Sequence, residues 1–371
     1  MIKKIISIFL AFLLITVICF ESRASTELNI NAQAYVLVDL STGRVLLEKN
    51  SDEKRPMAST TKIMTAIIAL ENGNLSSMIK VSPKAASVGG SSFWLKAGEE
   101  LPLSEMLYGL LLPSGNDAAT AIAEHIGGTQ EDFVCMMNKK AVEIGALNTH
   151  FANPHGLDEP NHYTTAKDLA KIAAYAWNFD EFREIVKTKT INIDKGSYPR
   201  QISNTNRLLW DLEGTDGIKT GYTGKAGRCL VSTSNNKDFR LLSVVLGSGD
   251  HFRDSKILLE YGFSNYNPTR IVKRGKKYAD ISINDGVLNA VSLIAEDSIQ
   301  LPVKEGENCK LKLILPQKIN APISQGQPIG QIHIYINDKY TCSTSLIAAE
   351  DVRQRTLKDI CERLLYEWLW R

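Results

Sequence analysis

The apolar positions of this chain fall into two regimes that meet near residue 266. In the first, residues 32–40 and 45–48 are short apolar runs flanking the turn Ser41-Thr42-Gly43-Arg44, which predicts a β-hairpin. Ile63, Met64, Ile67, Ile68 and Leu70 then recur at intervals of three and four, the spacing of a helix with a buried face. Helical patterns run over about 60–72, 104–112, 117–127, 130–145, 166–178 and 250–261. Residues 228–233 and 239–246 read as strands. Strands at both ends and helices between them predict an α+β domain: an antiparallel sheet with a helical layer and a helical lobe, and a cleft between sheet and lobe.

Beyond Asn265-Tyr266-Asn267-Pro268 the apolar runs shorten. Residues 287–301, 309–315, 330–336 and 339–345 read as strands separated by turns at Asn284-Asp285-Gly286, Glu305-Gly306-Glu307 and Asn337-Asp338. They predict a small all-β domain. At the end of the chain Leu357, Ile360, Cys361, Leu364, Leu365 and Trp368 share one face of an amphipathic helix. Two Trp there favour contact with a membrane surface over packing on the β domain. At the other end Lys3 and Lys4 precede an apolar run over 5–20, and Ser22 and Ala24 stand where a signal peptidase cuts. The run is shorter than the roughly 20 residues that span a bilayer, so it reads as a cleaved leader and not an anchor. The expected division is 1–24 leader, 25–266 α+β domain, 267–355 β-rich domain and 356–371 amphipathic helix.

Composition narrows the function. The formal net charge is +2, and it falls to about zero once Lys3, Lys4, Arg23 and Glu21 leave with the leader. With no basic block and no array of stacking aromatics, nucleic acid is excluded as a partner. Cys135, Cys229, Cys309, Cys342 and Cys361 remain after cleavage, an odd number without C-x-x-C or Cys/His clustering. That pattern predicts no metal site, and no cofactor is implied. A Cys309–Cys342 bridge and free thiols both stay open.

Three motifs carry the chemistry: Ser59-Thr60-Thr61-Lys62, Ser114-Gly115-Asn116 and Lys219-Thr220-Gly221, in that order. The first pattern also occurs at Ser51, Ser77 and Ser234, each in a polar, turn-like stretch; only Ser59 opens a buried helix. Alone, Ser59 reads as a helix cap, Ser114 as a turn and Lys219-Thr220-Gly221 as a β-turn. Together they form an acyl-transfer set, as in the S-x-x-K, S-D-N and K-T-G of penicillin-binding proteins and class A β-lactamases. A serine hydroxyl needs a base within hydrogen-bond reach, and Lys62, three residues on, shares the helix face of Ser59. Burial and a nearby cation, for which Lys219 is the candidate, would keep Lys62 neutral. Ser114 is the candidate proton relay, with Gly115 giving its turn backbone freedom. Asn116 would position Lys62 or bind the substrate backbone. Lys219 and Thr220 offer a cation and a hydroxyl to a C-terminal carboxylate, and Gly221 leaves room for an extended peptide to pair with the strand. The backbone N–H groups of Ser59 and Tyr222 are the expected oxyanion donors.

With Gly89-Gly90-Ser91-Ser92-Phe93-Trp94, Ala97-Gly98-Glu99, Asn148-Thr149-His150-Phe151, His155-Gly156-Leu157 and Thr215-Asp216-Gly217-Ile218 added, the chain resembles the low-molecular-weight penicillin-binding proteins, the serine D-alanyl-D-alanine carboxypeptidases. The likeness covers roughly residues 30–265 and continues more weakly to about 352. It implies a β-lactamase/transpeptidase-like fold and an extracytoplasmic enzyme. In that reading Ser59 attacks the D-Ala-D-Ala bond of a peptidoglycan stem peptide, terminal D-Ala leaves, and water releases the acyl-enzyme. Penicillin is then an acylating inhibitor. The resemblance also implies that His155 and Asp168 support the site without touching substrate. Tyr222 stands where some relatives carry His. A class A-like β-lactamase or an esterase would share the nucleophile, but Gly115 replaces its Asp and Glu143-Ile144-Gly145-Ala146-Leu147-Asn148 is one residue too long for its deacylation motif. A non-catalytic peptidoglycan-binding protein would not need the intact triple.

Overall fold

The computed structural model describes residues 28–237 and 239–369. The leader expected over 1–24 lies outside them, as does Trp370. The fold that follows is that of the compact unit beginning at Ala32.

Strands β1 (Ala34–Asp39) and β2 (Val45–Lys49) form the expected hairpin. A 3-10 turn, Ala58–Thr61, leads into α1 (Lys62–Asn72). The small strands β3 (Met78–Lys80) and β4 (Glu100–Pro102) pair, and α2 (Leu103–Leu111), α3 (Asn116–Gly127), α4 (Gln130–Glu143), α5 (Ala166–Ala176) and α6 (Asp180–Lys187) build the lobe. A hairpin of β5 (Thr190–Ile193) and β6 (Arg200–Ser203) precedes the meander β7 (Thr215–Thr223), β8 (Gly227–Asn236) and β9 (Phe239–Ser248), and α7 (His251–Asn265) follows. The main sheet has the order β2-β1-β9-β8-β7, antiparallel throughout, with β7 on an edge.

Strand β1 is buried at every position because helices cover both faces of the sheet. Ala34, Val36 and Val38 face the helical core with Val244 and Leu246. On the other face α7 lies so close that a Cβ on Gly262 would meet Leu37 at 2.9 Å and collide with Leu241. In the lobe, α1 is buried from Lys62 to Ala69 and packs against α2, α3, α4 and α5. A helix apolar all round belongs at a core centre, and this one carries Lys62 into it.

The second region has a separate core around Val272, Leu293, Ile332, Ile334 and Leu346. It contains β10 (Tyr266–Val272), β11 (Lys277–Asn284), β12 (Ala290–Ala295), β13 (Ile299–Lys304), β14 (Cys309–Ile314), β15 (Lys318–Asn320), β16 (Pro328–Ile336) and β17 (Lys339–Ala348). Its larger sheet has the order β14-β16-β17-β12-β11-β15, and β10 pairs with β13. The single strand expected over 287–301 is two, β12 and β13, bent apart at Glu296-Asp297-Ser298. Arg44 ties the hairpin turn to this region, bonding to Glu307 and to the carbonyl of Pro302. Tyr266 also donates to Leu46 O at 2.8 Å. Cys309 and Cys342 are free thiols on β14 and β17 with β16 between them, so no bridge joins them. The last helix, α8 (Leu357–Leu369), leaves Leu364, Leu365 and Trp368 exposed.

Candidate active site

The site begins with a strained turn. Ala58, immediately before Ser59, has φ +47, in the left-handed region that side chains avoid. Hydrogen bonds on both sides hold it there. Thr60 Oγ1 donates to Met57 O at 2.6 Å and Thr61 Oγ1 to Ala58 O at 2.8 Å. The Nδ1 of His162 accepts from Ala152 N at 2.9 Å, so its proton sits on Nε2 and points at Thr61 Oγ1, 2.7 Å away. Burial pushes the His162 ring down to about 4 and keeps it neutral. Gly156 packs against the same turn, where any Cβ would strike Ala58 O. The sequence pattern put Ser59 at a helix start; it lies in the 3-10 turn before the helix, half-buried.

Lys62 is fully buried below it. Its Nζ lies 2.9 Å from Ser59 Oγ, 2.7 Å from Asn116 Oδ1 and 2.7 Å from His155 O. The last two atoms only accept. Asn116 cannot present its nitrogen instead, because Nδ2 donates to Gly89 O at 2.7 Å. A neutral amine has two hydrogens and one lone pair, so two fixed acceptors leave the lone pair facing the serine. Burial and then the nearby Lys219 push Lys62 well below its ordinary range, against an opposing pull from Asp117.

Asp117 is a site-building residue that sequence reasoning passed over. Its carboxylate accepts from Ser92 Oγ at 2.6 Å, Phe93 N at 2.9 Å and Leu95 N at 3.1 Å. It thus pins the loop whose Gly89 carbonyl orients Asn116. An acid one residue after the second motif, in the first turn of α3, was the available signal.

At the second motif the expected division of labour is reversed. Ser114 itself takes the left-handed conformation, φ +67, and Gly115 does not, at φ −57. Gly115 is required for space: a Cβ there would lie 2.6 Å from Asp117 Oδ1 and 2.9 Å from Phe93 Cβ. Ser114 is buried, and its Oγ has no hydrogen-bond partner among the described residues.

Strand β7 supplies the third motif. Lys219 is buried, donates to Thr220 O at 3.0 Å, and is pushed down to about 7 by desolvation. Gly221 abuts the turn that carries Ser59, since a Cβ there would sit 3.0 Å from Ser59 N and 3.1 Å from Met57 O. The glycine therefore makes room for the enzyme's own turn. Tyr222 is exposed at the strand's outer end, with Arg228 over its ring at 5.7 Å.

His155 reaches the site through its carbonyl. Its ring, pushed down to about 3 by burial and by Lys62, accepts from Leu157 N at 3.2 Å. Asp168, paired with it in expectation, works elsewhere. It accepts from Asn148 N at 2.6 Å and Thr149 Oγ1 at 3.2 Å, and pairs with Lys171 at 3.0 Å. Among the described residues no group of three potential metal ligands occurs.

A family model described as D-alanyl-D-alanine carboxypeptidase matches residues 21–250. The chain belongs to this family. A second model, the C-terminal domain of penicillin-binding protein 5, matches residues 266–354. The carboxypeptidase DacF of Bacillus subtilis is 34% identical over 369 residues, covering 94% of this chain and 92% of that one. DacC of Escherichia coli is 34% identical over 345 residues, with 88% and 85% covered. The crystal structure of penicillin-binding protein 5 from Haemophilus influenzae superposes with a TM-score of 0.76 at 32% identity, over 88% of this chain and 98% of that one. In this D-alanyl-D-alanine carboxypeptidase the β-lactamase-like Glu143 lies at the exposed end of α4, paired with Lys140 at 2.7 Å.

Proposed function

We propose that the D-alanyl-D-alanine carboxypeptidase reaction of this enzyme runs through Ser59 as nucleophile and neutral Lys62 as general base. Lys62 takes the Ser59 proton as Oγ attacks the penultimate D-Ala carbonyl of a peptidoglycan stem peptide. The N–H groups of Ser59 and Tyr222 hold the developing oxyanion. The proton returns through Ser114 to the leaving amine as the C–N bond breaks, and free D-Ala departs. Water, activated by Lys62, then hydrolyses the ester. Lys219 and Thr220 bind the terminal carboxylate, Gly221 and Tyr222 line the strand along which the peptide lies, and Asn116 holds Lys62. A β-lactam acylates Ser59 in the same way. No step needs a cofactor.

The observation that carries this reading is a fully buried amine 2.9 Å from Ser59 Oγ with two pure acceptors, Asn116 Oδ1 and His155 O, each 2.7 Å from it. The unpartnered Ser114 hydroxyl supports the relay. The separate cores support a catalytic domain over 25–266 and a β-rich domain over 267–355. The leader pattern over 1–24 supports export, and the exposed apolar residues of α8 support attachment to a membrane surface. Among the described residues no helix is long and apolar enough to cross a membrane.

Labelled penicillin should leave a stable adduct on Ser59, and a stem-peptide mimic should release D-Ala. Ser59→Ala should abolish both. An adduct on another residue, or D-Ala release surviving Ser59→Ala, would remove Ser59 from its role.

A further inference from the structure

Thr205 lies outside the three motifs, yet its side chain meets one of them and its main chain meets the segment just before another. Its Oγ1 is 2.7 Å from Thr220 Oγ1, the hydroxyl of the third motif. Both its N–H and its Oγ1 donate to Leu112 O, at 3.1 Å and 3.2 Å, two residues before Ser114. The flanking asparagines fix this position. Asn204 Nδ2 donates to the carbonyls of Val186 and Thr188, each at 3.1 Å. Asn206 Nδ2 donates to Gly217 O in β7 at 2.8 Å. Both asparagines are buried, whereas Thr205 is exposed at the mouth of the site.

Two hydroxyls at 2.7 Å share one hydrogen, and its ownership decides what the motif hydroxyl can do. While Thr205 donates to Leu112 O, Thr220 donates to Thr205 and has no hydrogen for a ligand. If Thr205 turns its hydrogen onto Thr220 Oγ1, Thr220 is free to donate to an anion. Leu112 O loses little, since it keeps the Thr205 N–H.

Building on the carboxypeptidase reading, we propose that Thr205 is a specificity-determining positioning residue. It turns the Thr220 hydroxyl into a donor when a peptide's terminal carboxylate arrives beside Lys219. The hydroxyl pair then distinguishes a free carboxylate, which only accepts, from a carboxamide, whose N–H₂ group has to donate. The selectivity belongs to the pair; neither hydroxyl alone provides it.

The test compares Thr205→Val, which keeps the shape and the N–H bond but loses the hydroxyl, with Thr205→Ser, which restores it. Each enzyme is assayed on an N-acylated peptide ending in D-Ala-D-Ala and on its C-terminal carboxamide. The ratio of kcat/KM for acid over amide should fall about tenfold in Thr205→Val, chiefly through a gain on the amide, because a Thr220 hydroxyl without its donor can turn a lone pair to the N–H₂ group as readily as it turns its hydrogen to a carboxylate. Thr205→Ser should keep the wild-type ratio. An unchanged ratio in Thr205→Val, or an equal fall in Thr205→Ser, would overturn the assignment, because a merely structural tie would affect both substrates alike. Thermal melting of each variant separates loss of fold from loss of selectivity. Failure of the wild-type enzyme to turn over the acid at all would instead strike the carboxypeptidase reading itself.

Discussion

Lys219→Met should flatten the dependence of stability on pH. In the folded protein burial holds the Lys219 amine at about 7, against an ordinary 10.5. Between those values the unfolded chain binds more protons than the folded one, so stability rises with pH. Integrated from about pH 7 to about pH 9.5, a shift of that size contributes about 3 kcal/mol. Lys219→Met removes the titration and keeps an apolar side chain of similar reach. Lys62 titrates in the same sense in both proteins, because its own burial is the main cause of its shift. Groups unaffected by the substitution cancel when the two proteins are compared. Urea unfolding at both pH values gives the measurement. The wild-type gain on going to high pH should exceed the variant's by about 3 kcal/mol. Equal gains would refute the argument, since Lys219 would then hold its proton as firmly in the folded protein as in water. In the proposed mechanism a bound carboxylate would supply the counter-charge that the cavity withholds.

Gly221→Ala should slow acylation by penicillin about tenfold, because the new methyl presses on Ser59 N and Met57 O and displaces the nucleophile. Stopped-flow acylation checks this, and an unchanged rate would mean that β7 and the turn can part freely. Deletion of residues 357–371 should abolish co-sedimentation with lipid vesicles and leave D-Ala release intact; unchanged sedimentation would reject α8 as the attachment.

The motif residues were legible because each motif is local and its chemistry shows in residue type. Their supports were less so. The contribution of His155 is a main-chain carbonyl, which any residue would show equally. Thr205 owes its partners to long-range folding that no spacing announces. Reading Gly115 as the flexible residue followed sound turn chemistry, but packing against Phe93 and Asp117 needed the missing Cβ and left Ser114 to take the strained conformation. Strands β10 and β11 escaped notice because Tyr266–Val272 is mostly exposed and Lys277–Asn284 carries charges at its start. Helix α6 was missed for its brevity; its apolar Phe182, Ile185 and Val186 are few, and charged residues fill all the other positions.

The position of β7 on the rim of its sheet determines how a polymer can be handled. Among the described residues that strand has no strand partner on its outer side, so in the proposed mechanism a guest chain would be laid along it and not threaded by a free tip. A stem anchored to an insoluble mesh at its far end could still settle there, lose one residue and lift away. On the proposed mechanism the enzyme would trim a wall that is already built, wherever a short arm hangs loose.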